Sequence, residues 1–395
     1  MPAASSRPPA AAPTVAAALL PIIAVVFIAF LVIGLALPVL PLHVHQGLGL
    51  GTFVVGLVAG AQFSASLLSR LWAGDYADRR GAKRAVITGL LVAAAAGLLY
   101  LLSLHFVGRP VMSVTILLLG RAVLGGAESF IVTGAFGWGL ALVGPQNTGT
   151  IMAWVGTAMY AAFAIGAPAG TALYAGHGFA AIALATTLIP LGTLFVVAPR
   201  RPVAPMAHAR PSFTRVVGAV WVPGLGLALS SVGFGAITTF IVLLFAQRGW
   251  GQAWLAFTAL SLAFMAGRIL FGHLPDRIGG ARIALACVLI EAAGQALIWR
   301  APSAALALLG AAVTGLGYSL VYPGFGVEAV RRAPAQSRSL AMGAYTAFLD
   351  VALGLANPAL GLVAGGAGLG TVFLVSALVV LCAAAIAGRL LWRGT

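Results

Sequence analysis

Long apolar runs alternate with short polar interruptions along almost the whole chain. Runs of at least about 18 apolar residues can cross a bilayer as helices. About twelve fall near residues 16–42, 52–74, 84–104, 111–142, 150–175, 179–198, 216–246, 252–274, 282–299, 303–329, 340–364 and 369–390. In hydrocarbon each segment must satisfy its own backbone polar groups, so these runs predict twelve transmembrane helices and an all-α membrane protein. Residues 1–13 are rich in Pro and Ala with one charge, Arg7, and are expected to form a disordered tail. The first run is too long for a cleaved signal-peptide core and is expected to remain as the first span.

The polar interruptions repeat. Arg70, Gly74, Asp78, Arg79, Gly81 and Arg84 recur as Arg268, Gly272, Asp276, Arg277, Gly279 and Arg282, each offset by 198 residues. A second stretch uses an offset of 190: Gly125 matches Gly315, Ser129 matches Ser319, Gly134 matches Gly324, Gln146 matches Gln336, Met152 matches Met342, and Pro168 matches Pro358. The pattern predicts two pseudo-symmetric six-helix bundles, 14–198 and 216–395, joined by a basic linker over 199–215 that holds Arg200, Arg201 and Arg210. A duplicated membrane bundle points to transport.

Composition agrees with the pattern. Hydrophobic residues make up 61% and charged residues 7%, against roughly 25% charged in soluble domains. A net charge of +15 in a soluble chain points to nucleic acid, but here its distribution decides otherwise. Sixteen of the 22 Lys and Arg fall on one side of the predicted spans. Arg109, Arg248 and Arg300 fall on the other, and Arg70, Arg121 and Arg268 lie within helices. This is the positive-inside bias. It places both termini, both charged motifs and the linker in the cytoplasm of a plasma membrane, with a bacterial inner membrane expected and no nucleic-acid partner. Cys287 and Cys382 fall inside spans and indicate neither a disulfide framework nor a metal site. No Gly-rich phosphate loop and no catalytic constellation is readable, so neither an enzyme nor a resident cofactor is expected.

Gly74, Asp78, Arg79, Gly81, Lys83 and Arg84 match the pattern G-x-x-x-D-R/K-x-G-x-R/K-R/K between the second and third spans. With twelve spans in two halves and a basic linker, the chain resembles the major facilitator superfamily. The second copy, Gly272, Asp276, Arg277, Gly279 and Arg282, fits less fully at its end. The glycines allow close helix contact and a tight turn. An aspartate at a helix end can face the positive N-terminus of another helix. The resemblance implies that Asp78 sits against the start of the eleventh helix and Asp276 against the start of the fifth. Such contacts form a gate latch that closes the cytoplasmic side while the outer side is open. A topology-setting loop of solvated charges is the alternative.

Arg121 and Glu128, seven residues apart in the fourth span, share one helix face. Ionisable groups in hydrocarbon are costly and mark function. Arg121 to Ala127 is similar to the superfamily's fourth-helix pattern R-x-x-x-G-x-G, whose arginine is linked to proton transfer in proton-coupled members. A structural Arg121–Glu128 pair is the competing reading. Asp350 in the eleventh span and Glu291 in the ninth read as lone carboxyls. Desolvation favours the protonated form of such a group, the state a proton carrier needs. Asp350 is the better candidate because the resemblance places its helix beside the cavity, and Glu291 is expected as a neutral hydrogen-bonded group. Glu328 is expected to anchor Arg331 or Arg332. Gly166-Ala-Pro168-Ala-Gly170 is similar to an exporter pattern of the superfamily but departs from its order, and close packing with a bend explains it as well. His43 and His45, at the outer end of the first span, read as a solvated loop end or a pH sensor.

The resemblance implies a central cavity lined mainly by spans one, four, seven and ten. The candidate lining residues are Gln62, Trp154, Tyr160, Thr238, Tyr318 and Tyr322. So lean a polar set fits an amphiphilic compound better than a sugar, whose buried hydroxyls each need a partner. The leading expectation is proton-coupled antiport that exports small amphiphilic organic molecules by alternating access, using the proton gradient and Arg121, Glu128 and Asp350. The alternatives are a sugar or organic-acid carrier of the same fold, by efflux or proton symport, and a non-transporting membrane receptor. The expected partners are a small-molecule substrate, protons and the bilayer, with the protein acting as a monomer.

Overall fold

The structure is a computed structural model that describes residues 15–200, 202–203, 213–333 and 338–392. The expected disordered tail and most of the linker lie outside the described residues. Among those described there are helices and no strands. The helices are α1 (Val15–Ala36), α2 (Thr52–Arg80), α3 (Ala82–Leu104) and α4 (Pro110–Val143). The next helical stretch, Thr148–Val197, is broken at Gly178, whose φ of 67° and ψ of −167° are not helical. It therefore supplies two spans, α5 (148–177) and α6 (179–197). Then come α7 (Phe213–Gln247), α8 (Trp254–Phe271), α9 (Gly280–Arg300), α10 (Ala304–Tyr318, resuming at Val321–Arg332), α11 (Arg338–Ala367) and α12 (Leu369–Trp392).

Three boundaries differ from the expected spans, each for a local reason. The first span does not run straight to residue 42. It turns at Leu37–Val39, beside Pro38 and Pro41, and resumes as a short turn and a π-helical turn over His43–Gly47. Helix α2 continues through the charged motif to Arg80 and stops at Gly81, where φ is 92°. Its repeat partner Gly279 has φ of 108°. Side chains avoid that conformation, which explains a glycine at both places. Span α10 breaks at Ser319–Leu320, four residues before Pro323. Pro323 has no N–H to give to the Ser319 carbonyl, so the helix opens there.

Glycine contacts repeat at the two offsets. An added Cβ at Gly125 would lie 1.9 Å from the Gln62 carbonyl oxygen, and one at Gly315 would lie 2.1 Å from that of Leu260. Gly120 abuts Tyr100, and Gly310 abuts Ile298. Gly134 abuts Ala82 and Val86, and Gly324 abuts Ala284 and Gly280. The facing residues in each pair are themselves 198 apart. Close backbone approach through small residues is how membrane helices associate without a hydrophobic drive between them.

Two seams join the first six spans to the last six. Helices α2 and α11 run antiparallel. Thr52 Oγ1 donates to the Gly361 carbonyl at 2.8 Å. Added Cβ atoms at Gly56 and Gly60 would lie 2.1 Å from the Asn357 and 2.7 Å from the Gly354 carbonyl oxygens. In the other seam, Thr258 Oγ1 on α8 donates to the Ala164 carbonyl on α5 at 3.0 Å. Both seams are built at a proline. Pro168 leaves the Ala164 carbonyl without its helical donor, and Thr258 supplies one. Pro358 frees the Gly354 carbonyl in the same way, and α2 approaches it at Gly60, which has no side chain in the way. The Gly166 and Gly170 pattern packs against Gly34 and Leu35 of α1, the close-packing reading of that motif. The α2–α11 contacts lie toward the end opposite the charged loops, here called the far end. At the basic end the packing is looser: added Cβ atoms at Gly74 and Gly343 would meet nothing within 4 Å.

Candidate functional site

The α2–α11 seam fixes a register that leads to the first charged contact. Thr52 faces Gly361, Gly56 faces Asn357 and Gly60 faces Gly354. Continued, this places Asp350 opposite residue 64, with Arg70 roughly 9 Å nearer the basic end at ~1.5 Å per residue. Helical side chains tilt toward their own N-terminus. Because the helices are antiparallel, Arg70 and Asp350 lean toward each other. Their side chains form an ion pair between the first six and the last six spans. Asp350 is 4% exposed and Arg70 28%. Asp350 is therefore not the lone carboxyl expected from the sequence, because Arg70 stands against it.

Glu128 on α4 accepts a hydrogen bond from Gln62 Nε2 at 2.7 Å. Ser66 and Ser129 bond one turn farther along the same α2–α4 contact, at 3.1 Å. Arg121 makes no ion pair with Glu128. Seven residues share a face but separate the two groups by about 10 Å along the axis, too far for direct contact. Arg121 is buried against α3, and its only hydrogen-bond partner among the described residues is the Tyr100 hydroxyl at 3.5 Å. Arg121 and Glu128 are thus not a directly bonded pair. Glu291 is fully buried, but neither carboxyl oxygen has a partner, contrary to the expected hydrogen-bonded group. Glu328 holds Arg331 at 3.4 Å, as expected.

The candidate lining residues divide into two groups. Tyr160 and Tyr318 belong to one aromatic cluster. Tyr160 stacks on Phe264 at 3.5 Å, Phe234 stacks on Tyr318 at 5.6 Å, and Phe163 completes the group. The Tyr318 and Ser231 hydroxyls bond at 2.9 Å. Tyr322 lies one turn beyond, bonded to the Thr346 hydroxyl at 2.7 Å and packed on Tyr345. Trp154 is exposed, Thr238 turns back onto its own helix at Phe234, and Gln62 is committed to Glu128. The phenylalanines of the cluster were not read from the sequence, where aromatic residues are spread through every span. Arg70 and Arg268 were noted only as marks of the repeat. Their position inside spans was the signal that they carry more.

In the charged motif, Asp78 and Asp276 are exposed and have no side-chain partner among the described residues. The side chains at the starts of α5 and α11, where the latch was expected, lie outside the described residues. Arg79 bonds Asp75 at 3.0 Å. Lys83 donates to the carbonyls of Ala198 and Arg200, at 2.7 and 2.6 Å, tying the loop to the end of α6. Gly74 and Gly272 precede the turns, and Arg84 and Arg277 are exposed. His43 is not in a solvated loop end. It is buried and stacked on Phe179, with ring centroids 4.1 Å apart, whereas His45 is exposed.

This architecture has close relatives. The family model of the Major Facilitator Superfamily matches residues 22–256 and 224–395. An MFS-type transporter of Salmonella typhimurium is 44% identical over 368 residues, covering 93% of this chain and 95% of the relative. The MFS-type transporter YhhS of Escherichia coli is 40% identical over 368 residues, covering 93% and 90%. Among solved structures, a bacterial homologue of the human lysosomal transporter Spinster, inward-facing and unoccupied, superposes with a TM-score of 0.74 at 13% identity, covering 97% of this chain and 99% of that one. The Escherichia coli fucose:proton symporter superposes with a TM-score of 0.65 at 16% identity, covering 94% and 98%. These likenesses agree with the twelve spans, the repeated glycine contacts and the two proline-built seams, and the chain is a membrane transporter of the Major Facilitator Superfamily.

Proposed function

We propose that the chain exports small amphiphilic organic compounds in exchange for protons, in a bacterial inner membrane with both termini in the cytoplasm. The bundles 14–198 and 216–395 rock about the central cavity as one monomer. The observation that carries this reading is the pair of intramembrane carboxyls, each held by a polar partner. Glu128 is held by Gln62 within one bundle, and Asp350 by Arg70 across the two. A proton on Asp350 removes the charge that holds Arg70 and loosens the α2–α11 seam. Loss of the proton restores the pair, so proton occupancy is linked to the relative position of the bundles. The lean polar inventory around Tyr160, Phe264 and Tyr318 supports an amphiphilic substrate over a sugar.

Purified protein in liposomes with a trapped pH-sensitive dye tests the coupling. Substrate-driven proton movement is expected in the wild type and absent in Glu128→Gln at equal folded protein. Proton movement unchanged in Glu128→Gln removes Glu128 from the pathway. The motif is tested in the same liposomes. Asp78 is exposed at the basic end. Asp78→Asn is expected to cut transport severalfold while expression and monodispersity stay normal. Full transport by that variant leaves the motif a topology-setting loop.

A further inference from the structure

The repeat that pairs Arg70 with Asp350 leaves its second copy incomplete. The offset of 198 carries Arg70 to Arg268, and the offset of 190 carries Asp350 to Tyr160. The structure supports both transfers, because Gly60 at the Gly354 carbonyl corresponds to Thr258 at the Ala164 carbonyl. At the first seam a carboxylate faces the guanidinium. At the second the facing residue is a phenol, and Tyr160 lies flat on Phe264. Arg268 has no carboxylate partner among the described residues. Its hydrogen bond there is from Nη1 to the Ser319 carbonyl at 3.3 Å, the carbonyl freed by Pro323. The guanidinium also lies 5.9 Å from the Phe264 ring centroid.

Two further observations show that the missing charge is not supplied from elsewhere. Glu291, the nearest unused buried carboxyl in sequence, lies against Gly233 and makes no ion pair. Arg268 itself is only half-buried, so its guanidinium is not sealed within the protein. Resting on the transporter reading above, we propose that the substrate is an amphiphilic organic anion. Its carboxylate or phosphonate occupies, against Arg268, the place that Asp350 occupies against Arg70. Its apolar body lies on the Tyr160–Phe264–Tyr318 aromatic cluster. A guanidinium matches such groups in geometry as well as charge, and aromatic faces take up the apolar part with little loss of freedom.

The test uses the full-length protein in detergent and the same protein in liposomes. Binding of 2-naphthoate and phenylphosphonate is measured by calorimetry, with tetraphenylphosphonium as the cationic comparison. Wild type is expected to bind both anions in preference to the cation. Arg268→Gln is expected to weaken anion binding by roughly tenfold to a hundredfold, the loss of a charge-assisted hydrogen bond, and Arg268→Lys by less. Tyr160→Asp installs the carboxylate that the repeat lacks and is expected to abolish anion binding by occupying Arg268 internally. If Tyr160→Asp does not yield monodisperse protein, the ordering of wild type, Lys and Gln at Arg268 decides. Equal naphthoate binding by wild type and Arg268→Gln overturns the proposal. Proton movement driven by tetraphenylphosphonium without anion binding overturns it too, while leaving proton-coupled export standing. Arg268-dependent anion binding without proton movement supports the anion site and removes the proton coupling instead.

Discussion

Asp350→Asn and Arg70→Gln each lower the thermal unfolding midpoint of the purified protein, and the double variant falls no further than the worse single one. Either single change strands one member of an ion pair between two helices. Exposed pairs are worth up to about 1 kcal/mol, and breaking a buried one costs about 3–5 kcal/mol. Asp350 is 4% exposed and Arg70 28%, so the cost falls between those limits. The two sites share one interaction and therefore cannot add. If Asp350 carries the proton as proposed, the same variants are expected to lose proton-driven transport, because a neutral residue 350 cannot alternate between holding and releasing Arg70. A thermal-shift double-mutant cycle reads the coupling directly. Additive losses would show that the contact is idle, and Asp350 would leave the proton pathway.

Gly125→Val is the second large effect. An added Cβ lies 1.9 Å from the Gln62 carbonyl oxygen, a backbone atom that cannot rotate away. Helices α2 and α4 have to separate, and overpacking of this kind costs at least ~1–3 kcal/mol. The separation also pulls Gln62 from Glu128, which lies one turn along α4. The variant is expected to lose both thermal stability and proton movement. Gly126→Ala is the control on the next residue. Its Cβ meets only Ser69, at 4.0 Å, so stability should stay within about 0.5 kcal/mol. Gly315→Val, at 2.1 Å from the Leu260 carbonyl oxygen, should repeat the stability loss, because the contact repeats. Thermal scanning of the three variants separates a packing effect from a local property of α4. A stable Gly125→Val would mean that α2 and α4 do not pack this closely.

The spans and the repeat were legible because both leave long, regular marks: apolar runs of bilayer length, and rare charged residues in the same order. Even the glycine contacts follow from the two offsets, since Gly125 and Gly315 meet residues that are themselves 198 apart. The pairings were not legible. Arg70 and Asp350 are separated by 280 residues, and only the register of two antiparallel helices brings them together. Arg121 and Glu128 share a face, but helical rise keeps them apart, and sequence spacing shows the face more readily than the depth. The breaks in the first and tenth spans come from prolines. Whether a proline bends, breaks or merely lines a helix depends on what stands ready to take the freed carbonyl. Thr258 does so for Ala164, and Arg268 does so for Ser319.

The far-end closure of the α2–α11 seam, built from Thr52, Gly56, Gly60 and backbone carbonyls, contains no charged group. The basic end carries Asp78, Arg79, Lys83, Asp276 and Arg277 at its surface. The two doors of the transporter therefore answer to different solvents. Raising the salt from 0.1 M to 1 M shortens the screening length from about 10 Å to about 3 Å, which weakens any contact between the charges of the basic end and leaves the other closure untouched. Ionic strength thus becomes a handle on one door alone, and a salt series measured from each side of the membrane separates the opening of one from the opening of the other.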